Sequence, residues 1–330
     1  MKAAFIRETG APDKIQYADL PDPTPTGSQV LVKVGAVSVN PIDTYIRNGA
    51  PYWELPKPFI IGCDLAGDVV ALGPEAKRFK VGDRVWGSNQ GLMGRQGSFA
   101  ELAAIDESWL YSTPDNVSDD AAAACALVGI TAHLGLVQHA QLQPGETIFV
   151  HGGTGGVGSM VVQMARIIGA RVITTGGSDE KCEAARQLGA DAAINYKAKN
   201  VAEEVKQLAP QGVNVYWETL REPNFDEIVP MLAERGRIVI MAGRDARPAF
   251  PVGPFYVKGC SLLGFVMFKA SPLEQRHAAD EISRWLSSGK LKPQIAQVLP
   301  LSQAAEAHRL QEANTLQKAG TIAGKIVLKP

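Results

Sequence analysis

Residues 147–175, TIFVHGGTGGVGSMVVQMARIIGARVITT, constrain the fold most, because they read as strand, glycine turn, helix and second strand in unbroken order. The apolar run 148–150 is short, as a strand buried on both faces should be. Gly153, Gly155 and Gly158 supply a G-x-G-x-x-G spacing. One glycine suits the tight turn, one the approach of backbone to a pyrophosphate, and one the packing of helix on strand. Beyond the turn Val157, Val161, Met164, Ala165 and Ile168 form an apolar stripe, and Gly169 ends the helix. The helix N-terminus then offers free amides to an anion. A glycine turn that binds nothing is the bland alternative, and the flanking strand and helix argue against it.

The choice of dinucleotide falls at the end of the second strand, where an acidic residue usually meets the ribose 2′-hydroxyl. This chain has Gly176 and Gly177 there, followed by Ser178 and Lys181, a hydroxyl and a cation suited to a 2′-phosphate. NADP(H) is the expected cofactor. In the bland reading Ser178 caps the next helix and Lys181 is a solvated charge. Asp179 and Glu180 suit the positive end of that helix, although acids so near a phosphate are not ideal.

From residue 147 onward strands are predicted near 171–175, 192–195, 213–217, 237–241 and 261–267, separated by helical stretches at 179–188, 199–209 and 225–234. With the strand at Thr147 that makes six, a doubly wound parallel sheet. Ahead of it, 29–39 alternates as a strand, Pro and Gly punctuate heavily, and helical periodicity is scarce before Asp119. An irregular β domain is expected there. Helices near 272–288 and 302–312 and a strand at 325–328 should return to it. At 330 residues the chain suits two domains. Its 33 Lys+Arg against 34 Asp+Glu leave no electrostatic footprint for nucleic acid or an anionic membrane. Apolar runs read as too short to span a bilayer, and the four dispersed cysteines as reduced thiols, which together suggest a cytoplasmic protein.

The ordered series VNPIDTYIRNG, IIGCDLAGDVVALG, FKVGDRVWG, GSFAEL, GITAHLGL, LQPGETIFVHGGTGGVG, LGADAAINY and GKIVL carries a family resemblance over both domains. The chain resembles zinc-independent quinone oxidoreductases of the medium-chain dehydrogenase/reductase superfamily, of zeta-crystallin type. The resemblance implies a GroES-like irregular β-barrel catalytic domain, residues 1–122 completed by about 270–330, and a Rossmann domain at 123–269. Where zinc-dependent relatives carry a Cys and a His, this chain has Asn40 and Gly62-Cys63-Asp64, and 87–101 has no cysteine for a structural zinc. No metal is expected. Cys63, Cys125 and Asp64 leave a minor metal-binding alternative, and the five histidines read as satisfied or surface side chains.

The resemblance places Asn40, Tyr45 and Arg47 at the active-site cleft, where an amide and a phenol can donate to a carbonyl oxygen. Packing roles are the alternative for Asn40 and Tyr45. Tyr52 and Trp53 are read as a wall for a flat substrate or as loop packing. For NADPH it implies Gly155, Gly156 and Val157 at the pyrophosphate, Ser178, Lys181 and Tyr196 at the 2′-phosphate, and Thr131, Gly243, Phe265 and Met267 along the nicotinamide side. Lys325 matches a basic position near the phosphates. Glu218, where relatives often carry small or apolar residues, bears on substrate choice if it faces the cleft. The expected activity is NADPH-dependent quinone reduction. Reduction of an enone, alkenal or enoyl thioester is the nearest alternative, and a non-enzymatic NADPH-binding, crystallin-like or RNA-binding role another. A homodimer joined at the sixth strand's apolar edge is expected.

Overall fold

A computed structural model describes the whole chain except Pro51, Tyr52 and Lys318. It divides into two compact units, Met1–Ile130 with Ala270–Pro330, and Thr131–Lys269. The first cut falls later than residue 122 because Ala123 and Leu127 hydrogen-bond to Ser38 and Asp64 of the first unit.

In the first unit the strands are β1 (Lys2–Ile6), β2 (Gln16–Asp19), β3 (Gln29–Ser38), β4 (Phe59–Ile60), β5 (Asp64–Leu72), β6 (Arg84–Gly87), β7 (Leu102–Asp106) and β8 (Leu110–Ser112). Helix α1 (Pro41–Arg47) follows β3, a short element that the sparse periodicity before Asp119 did not signal. α2 (Asp119–His133) closes this stretch of chain. β1 lies between β2 and β4 in a small antiparallel sheet.

The second unit runs β9 (Thr147–Val150), α3 (Gly156–Ile168), β10 (Arg171–Gly176), α4 (Asp179–Gln187), β11 (Ala192–Asn195), α5 (Val201–Leu208) and β12 (Val213–Glu218). It continues through α6 (Phe225–Met231), β13 (Leu232–Ile240), α7 (Val252–Val257) and β14 (Ser261–Gly264). The six strands are parallel in the order β11-β10-β9-β12-β13-β14, so strand order reverses between β9 and β12. That switch point is where such sheets bind ligands. The last strand is shorter than predicted: it stops at Gly264, and Met267 opens a 3-10 turn.

The chain then returns to the first unit through α8 (Pro272–Ser287), β15 (Ile295–Pro300), α9 (Ala304–Thr315) and β16 (Lys325–Lys329). β16 pairs with β3, which also pairs with β5, so Ser38 lies opposite both Val327 and Asp64. This register gathers distant polar side chains at one end of β3.

The helical run Asp119–His139 has mean hydropathy 1.6 and is long and apolar enough to cross a membrane, contrary to the expectation that every apolar run is too short. It is 78% buried, as a core helix is. Its last part, Leu134–His139, is π-helical.

Candidate functional site

The glycine turn is built as its sequence demands. A Cβ on Gly158 would stand 2.1 Å from the Gly152 carbonyl oxygen, and one on Gly153 would stand 2.2 Å from Thr174 Oγ1. Only glycine lets the turn approach α3 on one side and β10 on the other so closely. At Gly155 the nearest atom to such a Cβ is 3.5 Å away, so that position is open. Thr175 braces the turn, its Oγ1 and carbonyl accepting from the Gly152 and Gly153 N–H at 2.9 and 3.2 Å. Buried threonines in a parallel strand were the signal for this, and sequence reasoning passed over them.

α3 begins at Gly156 with Gly155 as its N-cap residue, and it has neither a side-chain cap nor an acidic residue in its first turn. Gly156, Val157 and Gly158 thus open a helix that brings no acidic side chain of its own to its positive end, an arrangement that fits a pyrophosphate. By contrast α4, α5, α6 and α8 all carry acids in their first turns.

Ser178 and Lys181 meet at the carboxyl end of β10: the Lys181 backbone N–H donates to Ser178 Oγ at 3.3 Å, so Ser178 does cap α4. Its hydroxyl also hydrogen-bonds Glu180, holding that exposed carboxyl below its usual range. Asp179 accepts from the Asn195 amide at 2.8 Å. Tyr196 follows β11, and its hydroxyl would lie 2.6 Å from a Cβ on Gly177. The structure therefore brings Ser178, Lys181 and Tyr196 around one glycine corner, and both neighbouring acids already have partners.

At the switch point His151 and Glu218 face each other, Nδ1 to Oε1 at 3.5 Å, and Glu218 also accepts from the Leu220 N–H at 2.7 Å. Glu218 is thus held at the rim of the sheet beside the glycine turn. Beyond it lies an aromatic shelf. Phe265 stacks on His139 with centroids 4.5 Å apart and meets Trp217 edge-on at 6.5 Å. Gly135 makes room, since a Cβ there would sit 2.2 Å from Trp217 Cη2. Met267 and Thr131 are buried, and Gly243 brings the loop after β13 against the Arg221 carbonyl, 2.1 Å from where a Cβ would stand.

The first unit holds a second polar constellation. Asn40, fully buried, donates its amide N–H to Asp64 Oδ2 at 2.7 Å, and its amide oxygen accepts from Lys325 Nζ. Lys325 also donates to the Val39 carbonyl at 2.7 Å. Asp64 further accepts from Ser38 Oγ, Ser88 Oγ and the Leu127 N–H, at 2.9, 2.7 and 3.1 Å. Burial pushes Asp64 up and Lys325 down, and their mutual attraction opposes both shifts. Beside them Cys63 Sγ lies 2.8 Å from Asp43 Oδ1, and burial raises the Asp43 carboxyl to about 7.

Several expectations change here. Lys325 is 5% exposed and donates to the Val39 carbonyl and the Asn40 amide oxygen, so its ammonium is held by the protein and not offered to phosphate. Asn40's amide is likewise spent on protein partners. Arg47, fully buried, donates to the Gly10 carbonyl at 2.7 Å and pairs with Glu312, which anchors α1 to α9 and leaves no donor facing solvent. Tyr45 is half-buried on α1. Trp53 lines a cavity of about 390 Å³ with Ile46, Ala50 and Phe59, while Tyr52 lies outside the described residues.

Zinc does not fit these side chains. The amide oxygen of Asn40 holds an ammonium, and the Asp64 carboxylate already accepts from Asn40, Ser38, Ser88 and the Leu127 N–H. Among the described residues no group of three His, Cys, Asp or Glu side chains is placed to hold a metal.

Two family descriptions match the chain: "Alcohol dehydrogenase GroES-like domain" over residues 26–115 and "Zinc-binding dehydrogenase" over 156–286. The human quinone oxidoreductase is 31% identical over 99% of this chain and 97% of its own length. An Arabidopsis thaliana NADPH-dependent alkenal/one oxidoreductase is 32% identical, over 100% of this chain and 80% of its own. Among solved structures, the Escherichia coli quinone oxidoreductase complexed with NADPH superposes with a TM-score of 0.87 at 25% identity, covering 100% of both chains.

Proposed function

The chain belongs to the quinone oxidoreductase family of the medium-chain dehydrogenase/reductase superfamily, and from that premise we propose that it reduces quinones with NADPH, without a metal. The observation that carries the cofactor is the uncapped, acid-free N-terminus of α3 behind the open Gly155, at the switch point of a six-stranded parallel sheet. When bound, NADPH supplies a hydride from its nicotinamide ring; a proton from solvent completes the hydroquinone.

The chain's own work is binding and placement. Gly156, Val157 and Gly158 offer backbone N–H groups to the pyrophosphate. Ser178, Lys181 and Tyr196 take the 2′-phosphate, and the missing side chain at Gly177 lets the Tyr196 hydroxyl close in on that corner. Thr131, Gly243, Phe265 and Met267 border the nicotinamide half, with Trp217 and His139 behind Phe265. Tyr45 is the residue of α1 suited to donate a hydrogen bond to the quinone oxygen as charge develops there. Asn40 and Arg47 act behind it, fixing the two ends of α1.

A second copy is proposed to dock on the β14 edge, supported by exposed Val252, Tyr256, Val257, Leu262 and Val266. A monomeric mass by light scattering would exclude it. A cytoplasmic location is supported by four cysteines that are all free.

The deciding experiment compares initial rates of NADPH oxidation with an ortho-quinone, a simple enone and an enoyl thioester, chelator present throughout. Quinone-dependent turnover supports the proposal. Turnover confined to the double-bond substrates moves the function to enone reduction, the reading favoured by the similarity to the Arabidopsis protein. No turnover at all favours a non-enzymatic, nucleotide-binding role.

A further inference from the structure

We infer that Lys325 is a positioning residue of the reaction: the chain's own fixed cation, which through Asn40 holds in place the helix that carries Tyr45. The inference rests on the quinone-reductase reading for Tyr45's part, and on geometry for the rest.

An ammonium buried to 5% exposure needs an anion and acceptors, or it is costly. Lys325 finds the acceptors in the Val39 carbonyl and the Asn40 amide oxygen, and the anion in Asp64, 3.9 Å away. The Asn40 amide lies between the charges with its oxygen on the cation and its NH2 on the carboxylate, so each charge polarises it in the same sense. Asp64 takes its other hydrogen bonds from Ser38, Ser88 and Leu127. One charge pair thereby ties together the end of β3, the start of β5, the loop after β6, α2 and the start of β16.

Asn40 immediately precedes α1, and its backbone N–H donates to Asp43 Oδ2 at 2.7 Å. Fixing Asn40 therefore fixes the first turn of α1. Tyr45 lies one turn further along the same seven-residue helix, which is too short to hold its direction without its ends. At the other end Arg47 and Glu312 supply the second anchor. A neutral residue at 325 would free the start of α1 and leave the Asp64 carboxylate without its counter-charge.

The test is a charge-balance cycle of Lys325→Met, Asp64→Asn and the double variant. Each is read by melting temperature, NADPH affinity from nucleotide fluorescence, and kcat with an ortho-quinone. Removing one member of a buried pair should lower the melting temperature on the order of 10 °C. The double variant, neutral at both positions, should recover at least half of that loss. The kcat of Lys325→Met should fall by about tenfold or more with NADPH affinity unchanged, and recover in step with stability. Failure of Lys325→Met to fold while the double variant folds would support the pair equally well.

Additive losses, or a double variant as unfolded as the singles, would overturn the charge balance. A melting temperature that falls while kcat holds would reduce Lys325 to a structural part. If the wild-type protein turns over no quinone, the quinone reading fails by itself, and the melting-temperature cycle still decides the pairing.

Discussion

The ammonium of Lys325 donates to the amide oxygen of Asn40, 285 positions earlier in the chain. That contact and the bond from the same amide to Asp64 make Asn40 a bridge between two buried charges. Asn40→Ala leaves the ammonium and the carboxylate each one partner short, and should cost about 3 kcal/mol in urea unfolding. A variant as stable as the parent would show that the bridge contributes nothing.

The turn glycines separate by function. Gly158→Ala drives a methyl group into the Gly152 carbonyl and should lower the melting temperature sharply. Gly155→Ala has room in the protein and should melt as the parent does, while weakening NADPH binding by about tenfold where the pyrophosphate approaches. Equal effects of Gly155→Ala on both properties would mean that its openness is not reserved for a ligand.

Lys181→Ala removes a cation from the Ser178 and Tyr196 corner and should raise KM for NADPH by about tenfold, leaving KM for NADH nearly unchanged. Steady-state kinetics with both nucleotides would check this. Parallel changes would take Lys181 away from the 2′-phosphate.

Tyr45→Phe keeps the ring and removes the hydroxyl. Its kcat with an ortho-quinone should fall by about ten- to a hundredfold, with NADPH affinity preserved. Unchanged kcat would assign Tyr45 to packing.

His308, on α9, is fully buried with neither ring nitrogen hydrogen-bonded among the described residues, and burial followed by the nearby Arg47 charge lowers its pKa to about 3. Because the unfolded chain binds this proton near the ordinary value of 6.5 and the folded one only near 3, the stabilisation is complete above pH 6.5 and declines as pH falls toward 3. His308→Leu should therefore lose less stability between pH 7 and pH 4.5 than the parent, and be no less stable at pH 7. Urea midpoints at the two pH values decide it; identical losses would remove His308 as a source of acid sensitivity.

The nucleotide-binding half of the protein was legible because its chemistry is local. Strand, glycine turn, helix and strand adjoin in sequence, and the spacing alone placed Gly153, Gly155 and Gly158 where β9, α3 and β10 need them. The first unit was legible only as a class. Pro and Gly marked it as irregular β structure, but β3 takes its register both from nearby β5 and from β16, whose Val327 pairs with Ser38 from the far end of the chain. The resemblance consequently put Lys325 near the phosphates and Arg47 at the cleft, and a sequence carries no sign that Asn40 and Glu312 will absorb these cations. The stack of Phe265 on His139 was hidden for the same reason.

The second unit is inserted in the chain between the two pieces of the first. A ribosome making this protein therefore synthesises the complete dinucleotide-binding sheet before Lys325 emerges. Until then the Asp64 carboxylate has been translated without its cation, and β3 lacks its β16 neighbour. Completion of the first unit therefore waits on translation of its last strand, and a nascent chain stalled before residue 325 would hold the whole second unit while the helix bearing Tyr45 still lacked the Lys325 contact.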